Sequence, residues 1–227
     1  IDSLILKDPG NEKTLVSAAN LYTTYAGLFV TDKDRASKMA AKALDYAGRA
    51  LCLSDEKACG LKGRPFDQAR PLVLQMDKDQ VPALFALGSA WARWIMANRD
   101  DFNAIADLAH IELIMQQVAR LEPGYRDGAA FIYLGTLSCL LPPSLGGKPE
   151  QGRQYFEQSL ALAGKQSLTA KVMFAQFYAR ITFNRELHDR LLTDVLAADP
   201  HVEGHTLANT WAQAKARQLM DSADDYF

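Results

Sequence analysis

Residues 133–156 read YLGTLSCLLPPSLGGKPEQGRQYF, and this stretch decides the fold. Apolar residues continue at helical spacing to Leu141, after which two adjacent prolines prevent the helix from continuing. A double glycine then permits backbone angles that other residues avoid, and Pro149 suits the first position of a new helix. The stretch therefore predicts two antiparallel helices joined by an ordered loop.

Helical patterns fill most of the remaining chain. One helix begins near Asn11, and Thr31 followed by Asp34 resembles a capping box for a second helix that runs to about Cys52. No segment alternates apolar and polar residues as a half-buried strand would. Further helices are predicted over about 82–98, 105–122, 125–141, 149–163, 168–183, 185–198 and 203–222. The sequence therefore predicts an all-α fold.

The predicted helices also recur at a regular spacing. The segment Val118–Pro123 is matched by Val195–Pro200, 77 residues later, and another helix ends between them at Gly164. A period of about 38 residues is typical of stacked helix pairs. The dipeptides Leu87-Gly88 and Leu134-Gly135 resemble those of tetratricopeptide repeats. We expect a right-handed stack of antiparallel helix pairs with cryptic tetratricopeptide-like repeats.

The domain organisation follows from these elements. Residues 1–227 are expected to form a single helical repeat domain, with an N-terminal helical hairpin over residues 1–53 and the repeat stack over residues 80–227. Residues 54–79 contain two glycines and two prolines. These residues favour an irregular connection that has room for one or two short helical turns at most.

Composition and charge exclude several classes of function. The chain has 227 residues, of which 48% are hydrophobic and 23% charged, so it can bury a sizeable core. Its formal net charge of −2, without a Lys/Arg-rich run, argues against a nucleic-acid-binding surface. Charged residues interrupt every apolar stretch well before the roughly 20 residues that a membrane-spanning helix needs. Because the chain begins at Ile1, it fits either a trimmed chain or a mature chain without its signal segment.

The three cysteines leave two alternatives open. Cys52 and Cys59 flank a short polar segment at the end of a predicted helix, at a separation that a disulfide can close. Three free thiols are the alternative, and export to an oxidising compartment would favour the bridge. Cys139 lies among leucines and is expected to be a small buried hydrophobic residue.

No credible catalytic or metal-binding set of residues emerges. His201 and His205 have the spacing of two zinc ligands on one helix face, but they lack an obvious third ligand at helical spacing. His188 is expected to lie on an exposed polar face. The run Gly146-Gly147-Lys148 could bind an anion at a helix start, yet the spacing and preceding strand of a phosphate-binding loop are absent. We therefore expect no enzyme activity, no cofactor and no metal.

The predicted helix over residues 168–183 carries apolar residues around most of its circumference. An ordinary packed core explains this composition. The alternative is an apolar cavity or channel with a few polar groups, which is the usual design of a small-molecule site. The candidate lining residues are Trp91, Phe131, Tyr133, Phe174, Phe177, Tyr178 and Arg180.

Arg180 is the cation that we expect to orient a carboxylate in such a cavity. It lies on an otherwise apolar helix, and burial of an unpaired guanidinium is costly. Arg180 therefore requires an acidic partner, an aqueous lumen or an anionic ligand. The alternative is that its long side chain reaches surface water.

From about Pro82 to the C-terminus, the sequence resembles the TatT family, the T components associated with some TRAP transporters. The most specific match is the loop LPPSLGGKP over residues 141–149, and the first eighty residues match mainly in helical pattern. The core of the family-motif loop is Leu145, Gly146, Gly147 and Lys148. Further matches are Tyr155-Phe156, Ser159-Leu160, residues 174–179, Leu207-Ala208-Asn209 and Ala214-Lys215-Ala216.

The resemblance implies a periplasmic protein that is tethered to the membrane only by an N-terminal lipid anchor outside this chain. It also implies a homotrimer with a pore through each subunit, a solute-binding P component as partner, and a hydrophobic or organic-acid ligand. The alternative function is a general tetratricopeptide-like scaffold that binds a protein or peptide. A filled interior would favour the scaffold, and an open aromatic channel would favour transport.

Overall fold

The computed structural model describes residues 1–164 and 167–227, with all of their side chains except those of residues 102 and 103. Regular structure in these ranges is helical throughout, which confirms the all-α prediction. The chain divides into two compact units, Ile1–Glu122 and Pro123–Phe227. The boundary falls inside the segment predicted as one repeat stack, and the repeat arrangement stays a prediction. No helix of the described residues is long and apolar enough to cross a membrane.

The first unit is built from α-helices and short 3₁₀ turns. The turns lie at Glu56–Ala58, Leu61–Gly63 and Lys78–Gln80. The helices are α1 (Asp2–Lys7), α2 (Glu12–Leu28), α3 (Lys33–Ser54), α4 (Phe66–Gln75), α5 (Val81–Ala97), α6 (Phe102–Ala106) and α7 (Leu108–Leu121).

Helices α2 and α3 form the predicted N-terminal hairpin, and α3 and α5 pack together. The side chain of Asn11 accepts a hydrogen bond from the backbone N–H of Thr14 and so caps α2. Asp32 caps α3 by accepting from the N–H of Arg35, so the predicted cap at Thr31 is wrong by one residue. Buried alanines on the facing sides of α3 and α5 allow the two backbones to approach closely.

The predicted irregular connection contains the ten-residue helix α4, which is longer than the expected one or two turns. Pro71 lies inside α4 and removes one backbone hydrogen bond. Burial of Ala69 and Val73, together with packing of α4 on α7, offsets that loss. Tertiary packing thus outweighs the helix-breaking tendency that the sequence pattern emphasised.

The second unit is also helical. A 3₁₀ turn at Pro143–Leu145 lies between α8 and α9, and a π-helical segment, Phe174–Ala179, continues directly from α10. The helices are α8 (Ala129–Ser138), α9 (Pro149–Ala163), α10 (Thr169–Met173), α11 (Arg185–Ala197), α12 (Thr206–Asp221) and α13 (Ala223–Tyr226).

Helices α8 and α9 form the hairpin predicted from residues 133–156. α8 begins at Ala129 rather than near Tyr125, because Arg126, Asp127 and Gly128 adopt positive φ angles. Within the hairpin, a Cβ on Gly135 would lie 2.9 Å from the ring of Phe156. The Leu-Gly dipeptide in α8 therefore serves to bring the two helices together.

Candidate functional site

The aromatic residues predicted to line a cavity are packed into the core of the second unit. Phe174 is buried and stacks on Phe156 with ring centroids 5.1 Å apart. Its other neighbour is Tyr178, whose ring centroid lies 5.2 Å away. Phe174 and Tyr178 belong to the π-helical segment, and such segments are found frequently at functional sites. At Phe174, however, the volume is filled by neighbouring rings.

Tyr178 joins this core to the start of α9. Its hydroxyl donates a 3.0 Å hydrogen bond to Oε1 of Glu150, and its ring is buried. Burial raises the pKa of Tyr178, and the bond to Glu150 raises it further because the carboxylate accepts a hydrogen bond that only the protonated phenol can donate. Tyr178 therefore remains a neutral hydrogen-bond donor near pH 7 and fixes the π-helical segment against α9.

The other predicted residues of this unit are less enclosed. Phe131, Tyr133 and Phe177 are half-buried. The ring of Phe131 lies 6.2 Å from that of Tyr155, and Phe177 packs against the hydrophobic core. These rings line neither of the two cavities described below.

The guanidinium of Arg180 binds the C-terminal end of α12. Its Nη2 donates to the carbonyl oxygen of Leu219 at 2.9 Å and to the hydroxyl of Ser222 at 2.6 Å. The ring of Tyr226 lies 4.9 Å from the guanidinium carbon. Burial lowers the pKa of Arg180, and a positive charge at a helix C-terminus is favoured by the helix dipole. Arg180 thus has structural partners, and its role toward a ligand stays a prediction.

Trp91 belongs to the first unit, where it is fully buried in α5. Its indole Nε1 donates a 3.0 Å hydrogen bond to Oδ2 of Asp107. Its ring packs against His110 with centroids 5.0 Å apart. These contacts make Trp91 a core residue of the first unit.

The family-motif loop is held by its own backbone. The N–H of Gly147 donates to the carbonyl of Pro142 at 3.1 Å, and that of Lys148 donates to the carbonyl of Ser138 at 2.9 Å. The N–H of Lys148 is therefore bonded to the last residue of α8 rather than presented to an anion. Leu145, beside Gly146, is 67% exposed, which leaves an apolar tip on an ordered loop.

Among the described residues, no group of three His, Cys, Asp or Glu side chains could hold a metal ion. His201 binds Asp199, and Nε2 of His205 lies 3.6 Å from Asp127. The expected exposure of His188 is wrong: it is fully buried, and its Nδ1 lies 2.8 Å from Oδ1 of Asp189.

An open cavity of about 630 Å³ lies at the surface of the first unit, between α3, α5 and the turns that follow α3. Its lining is mostly apolar and includes Leu44, Leu51, Leu61, Leu87 and Trp94. Small-molecule sites commonly have volumes of roughly 300–1,000 Å³ and such a lining. A smaller cavity of about 320 Å³ in the second unit lies beside the ion pair of α10 and α11.

Charged groups stand at the edge of the larger cavity. Arg49 lies 3.6 Å from Asp45, one turn away on α3, so its charge is partly balanced. Lys62 has no ion pair among the described residues, and its ammonium lies 4.2 Å from the ring centroid of Trp94. With these three side chains ionised, the lining carries an excess of one positive charge. The arrangement combines an open, mostly apolar cavity with a cation held over an indole.

A disulfide braces one wall of this cavity. Cys52 near the end of α3 is bonded to Cys59, which follows the first 3₁₀ turn. Cys52, Leu61 and Lys62 line the cavity, so the bridge ties the wall formed by α3 to the turn that carries Lys62. In the second unit, Cys139 is a buried free thiol.

Sequence reasoning selects Trp91 for a cavity, whereas the structure places Trp94 there instead. The sequence pattern indicates no role for Arg49 or Lys62. The available signal was the position of Cys52 and Cys59, because a bridge between them holds the turn that follows α3 against the end of that helix. Sequence periodicity does not show which helix packs against α3, because that depends on the tertiary structure.

A family model described as TRAP transporter T-component matches residues 1–227. The chain therefore belongs to the TRAP transporter T-component family, and this assignment supports an accessory role in TRAP transport. The match confirms the resemblance drawn from the family-motif loop and extends it to the first eighty residues. Comparison with curated proteins yields no match.

Proposed function

We propose that this chain acts in the periplasm as the accessory component that docks the solute-binding P component of a TRAP system. In this role it shelters or passes a hydrophobic or organic-acid ligand. The observation that carries the proposal is the family match over the whole chain. The apolar cavity of the first unit supports ligand binding because its volume and lining suit a small organic molecule.

The proposal includes an assembly and an anchor. The working form is a homotrimer, and a lipid attached on the N-terminal side of Ile1 tethers it to a membrane. The family resemblance supports both features, and the net charge of −2 presents little electrostatic obstacle to self-association. Sedimentation velocity tests the trimer: a species of three times the chain mass is expected, and a monomer at all micromolar concentrations would contradict it.

Capture from cells tests the docking role. The tagged chain is expressed with the P component encoded beside it, and bound proteins are eluted and identified. A solute-binding protein from an unrelated transporter serves as the control. Retention of the neighbouring P component alone supports the proposal, whereas equal retention or loss of both proteins contradicts it.

A tetratricopeptide-like scaffold is the second candidate function. The observation that favours it is the close packing of Phe156, Phe174 and Tyr178 in the core of the second unit. A filled interior suits a protein that binds its partner on an outer surface. Ligand binding by the purified chain in the absence of any P component distinguishes transport from this alternative.

A further inference from the structure

We propose that the open cavity between α3 and α5 binds an amphipathic monocarboxylate, with its apolar chain along the leucines of these helices and its carboxylate beside Lys62. This inference rests on the proposed function and deepens it by naming the site and the ligand class. The leucines of α3 and α5 that line the cavity offer no hydrogen bond to a polar ligand body. An apolar ligand body suits these leucines.

The charge of the site selects the head group. Lys62 is exposed and has no ion pair among the described residues, and its ammonium lies over the ring of Trp94. Arg49 adds a second cation, although Asp45 already balances part of its charge. A single carboxylate would neutralise the excess positive charge of the lining and form a charge-assisted hydrogen bond with Lys62. A ligand cation would be repelled there.

The position of Lys62 depends on the disulfide between Cys52 and Cys59. Lys62 lies in the 3₁₀ turn Leu61–Gly63, three residues after Cys59. The bond from Cys59 to Cys52 restrains this turn against the end of α3. The bridge therefore preorganises the cation relative to Trp94 and reduces the ordering that ligand binding would otherwise require.

Gly48 provides a sharp test of the site. It lies in α3, lines the cavity, and a Cβ added there would meet no atom within 4 Å. Gly48→Leu should therefore place an isobutyl group in the cavity and obstruct it, and Gly48→Ala is its matched control because a methyl group leaves most of the space open. Both substitutions should preserve or raise the thermal stability, since glycine weakens a helix interior. Thermal unfolding verifies that each variant is folded.

Decanoate is the probe, decanol is its uncharged counterpart, and calorimetric titration of the disulfide-bonded protein is the measurement. We expect decanoate to bind the wild type and Gly48→Ala similarly, with the dissociation constant raised by roughly tenfold or more in Gly48→Leu. Lys62→Met should raise the dissociation constant for decanoate about tenfold, because the carboxylate loses its charged partner. Lys13→Met, on the exposed face of α2, should leave this constant unchanged. Decanol should bind more weakly than decanoate.

Unchanged decanoate binding in Gly48→Leu would overturn the site, as would the absence of binding to the wild type. Equal affinity for decanol and decanoate would overturn the assigned head group. These outcomes are independent of the P component, so docking could succeed in the capture experiment while the cavity proposal fails. Conversely, failure of capture with intact decanoate binding would reject the docking role and leave the binding site in place.

Discussion

The carbonyl group of Leu141 occupies the space that a side chain on Gly147 would need. A Cβ at Gly147 would collide with the carbonyl carbon and oxygen of Leu141. Because both clashing atoms belong to the backbone, they cannot move aside as the end of a flexible side chain could. This relationship explains why a glycine stands at the second position of the double glycine in the family-motif loop.

Gly147→Ala should therefore destabilise the protein. Relief of the collision requires the backbone of the loop between α8 and α9 to move, at a cost of about 2 kcal/mol or more in the free energy of unfolding. The control is Gly124→Ala in the same unit, where an added Cβ would meet no neighbouring atom within 4 Å. Chemical denaturation measures both variants. Equal stability of Gly147→Ala and the wild type would show that the loop tolerates a side chain.

Arg180→Met tests the structural role of the guanidinium. The substitution removes the hydrogen bonds to Leu219 and Ser222 at the end of α12, and we expect a loss of about 1–3 kcal/mol in stability. Arg217→Met is the control, because Arg217 is an exposed residue of the same helix. A stable Arg180→Met variant with weakened ligand binding would instead support the role predicted from the sequence.

Thiol counting tests the bridge between Cys52 and Cys59. Under denaturing, non-reducing conditions a thiol reagent should titrate Cys139 alone, and after reduction it should titrate three thiols. Reduction should lower stability by roughly 2 kcal/mol, since the bridge closes a short loop. Three thiols without reduction would exclude the bridge.

Cys139 itself should be unreactive in the folded protein. Burial raises the pKa of its thiol to about 12, with a smaller contribution from Glu150, so the reactive thiolate is scarce at pH 8. We expect modification by a thiol reagent only as fast as the second unit opens or unfolds. Rapid labelling in native buffer would contradict this burial.

The contacts of Asp2 predict a small acid-sensitive contribution to stability. Its hydrogen bond with Lys42, together with those from Tyr22 and Tyr46, lowers the pKa of Asp2 from 3.8 to about 2. Since the folded pKa is the lower one, this stabilisation is complete above pH about 4 and is lost as the pH falls towards 2.

The side chain of Asp2 is 41% exposed, so solvent screening limits its contribution to at most about 1 kcal/mol. The difference in unfolding free energy between the wild type and Asp2→Asn should therefore shrink between pH 4 and pH 2. A constant difference across that range would contradict the assignment.

The sequence predicted those parts of the fold that local chemistry determines. The α8–α9 hairpin follows from the prolines and glycines of residues 133–156, and α9 begins at Pro149 and ends at Ala163 as expected. The π-helical segment could not be predicted, because the apolar pattern of residues 168–183 suits either helical form. Likewise, positive φ angles at Arg126 and Asp127 delay the start of α8. Neither residue is a glycine, so the sequence gives no local signal of this backbone conformation.

The candidate site was harder to predict than the fold. Aromatic residues identify where apolar surface accumulates, but Phe174 shows that a ring can fill a core as readily as line a cavity. Lys62 gains its proposed role only from its position over Trp94, which depends on the disulfide-bonded turn and on the packing of α3 against α5. Neither relationship is local in the sequence.

The most direct test of the accessory role is calorimetric titration of the purified chain with the purified P component of the same transport system. We predict saturable binding with a dissociation constant in roughly the micromolar range, as suits a partner that must dock and leave. The P component of an unrelated system should give no binding heat. Absence of binding between the two folded cognate proteins, with or without ligand, would contradict the central claim.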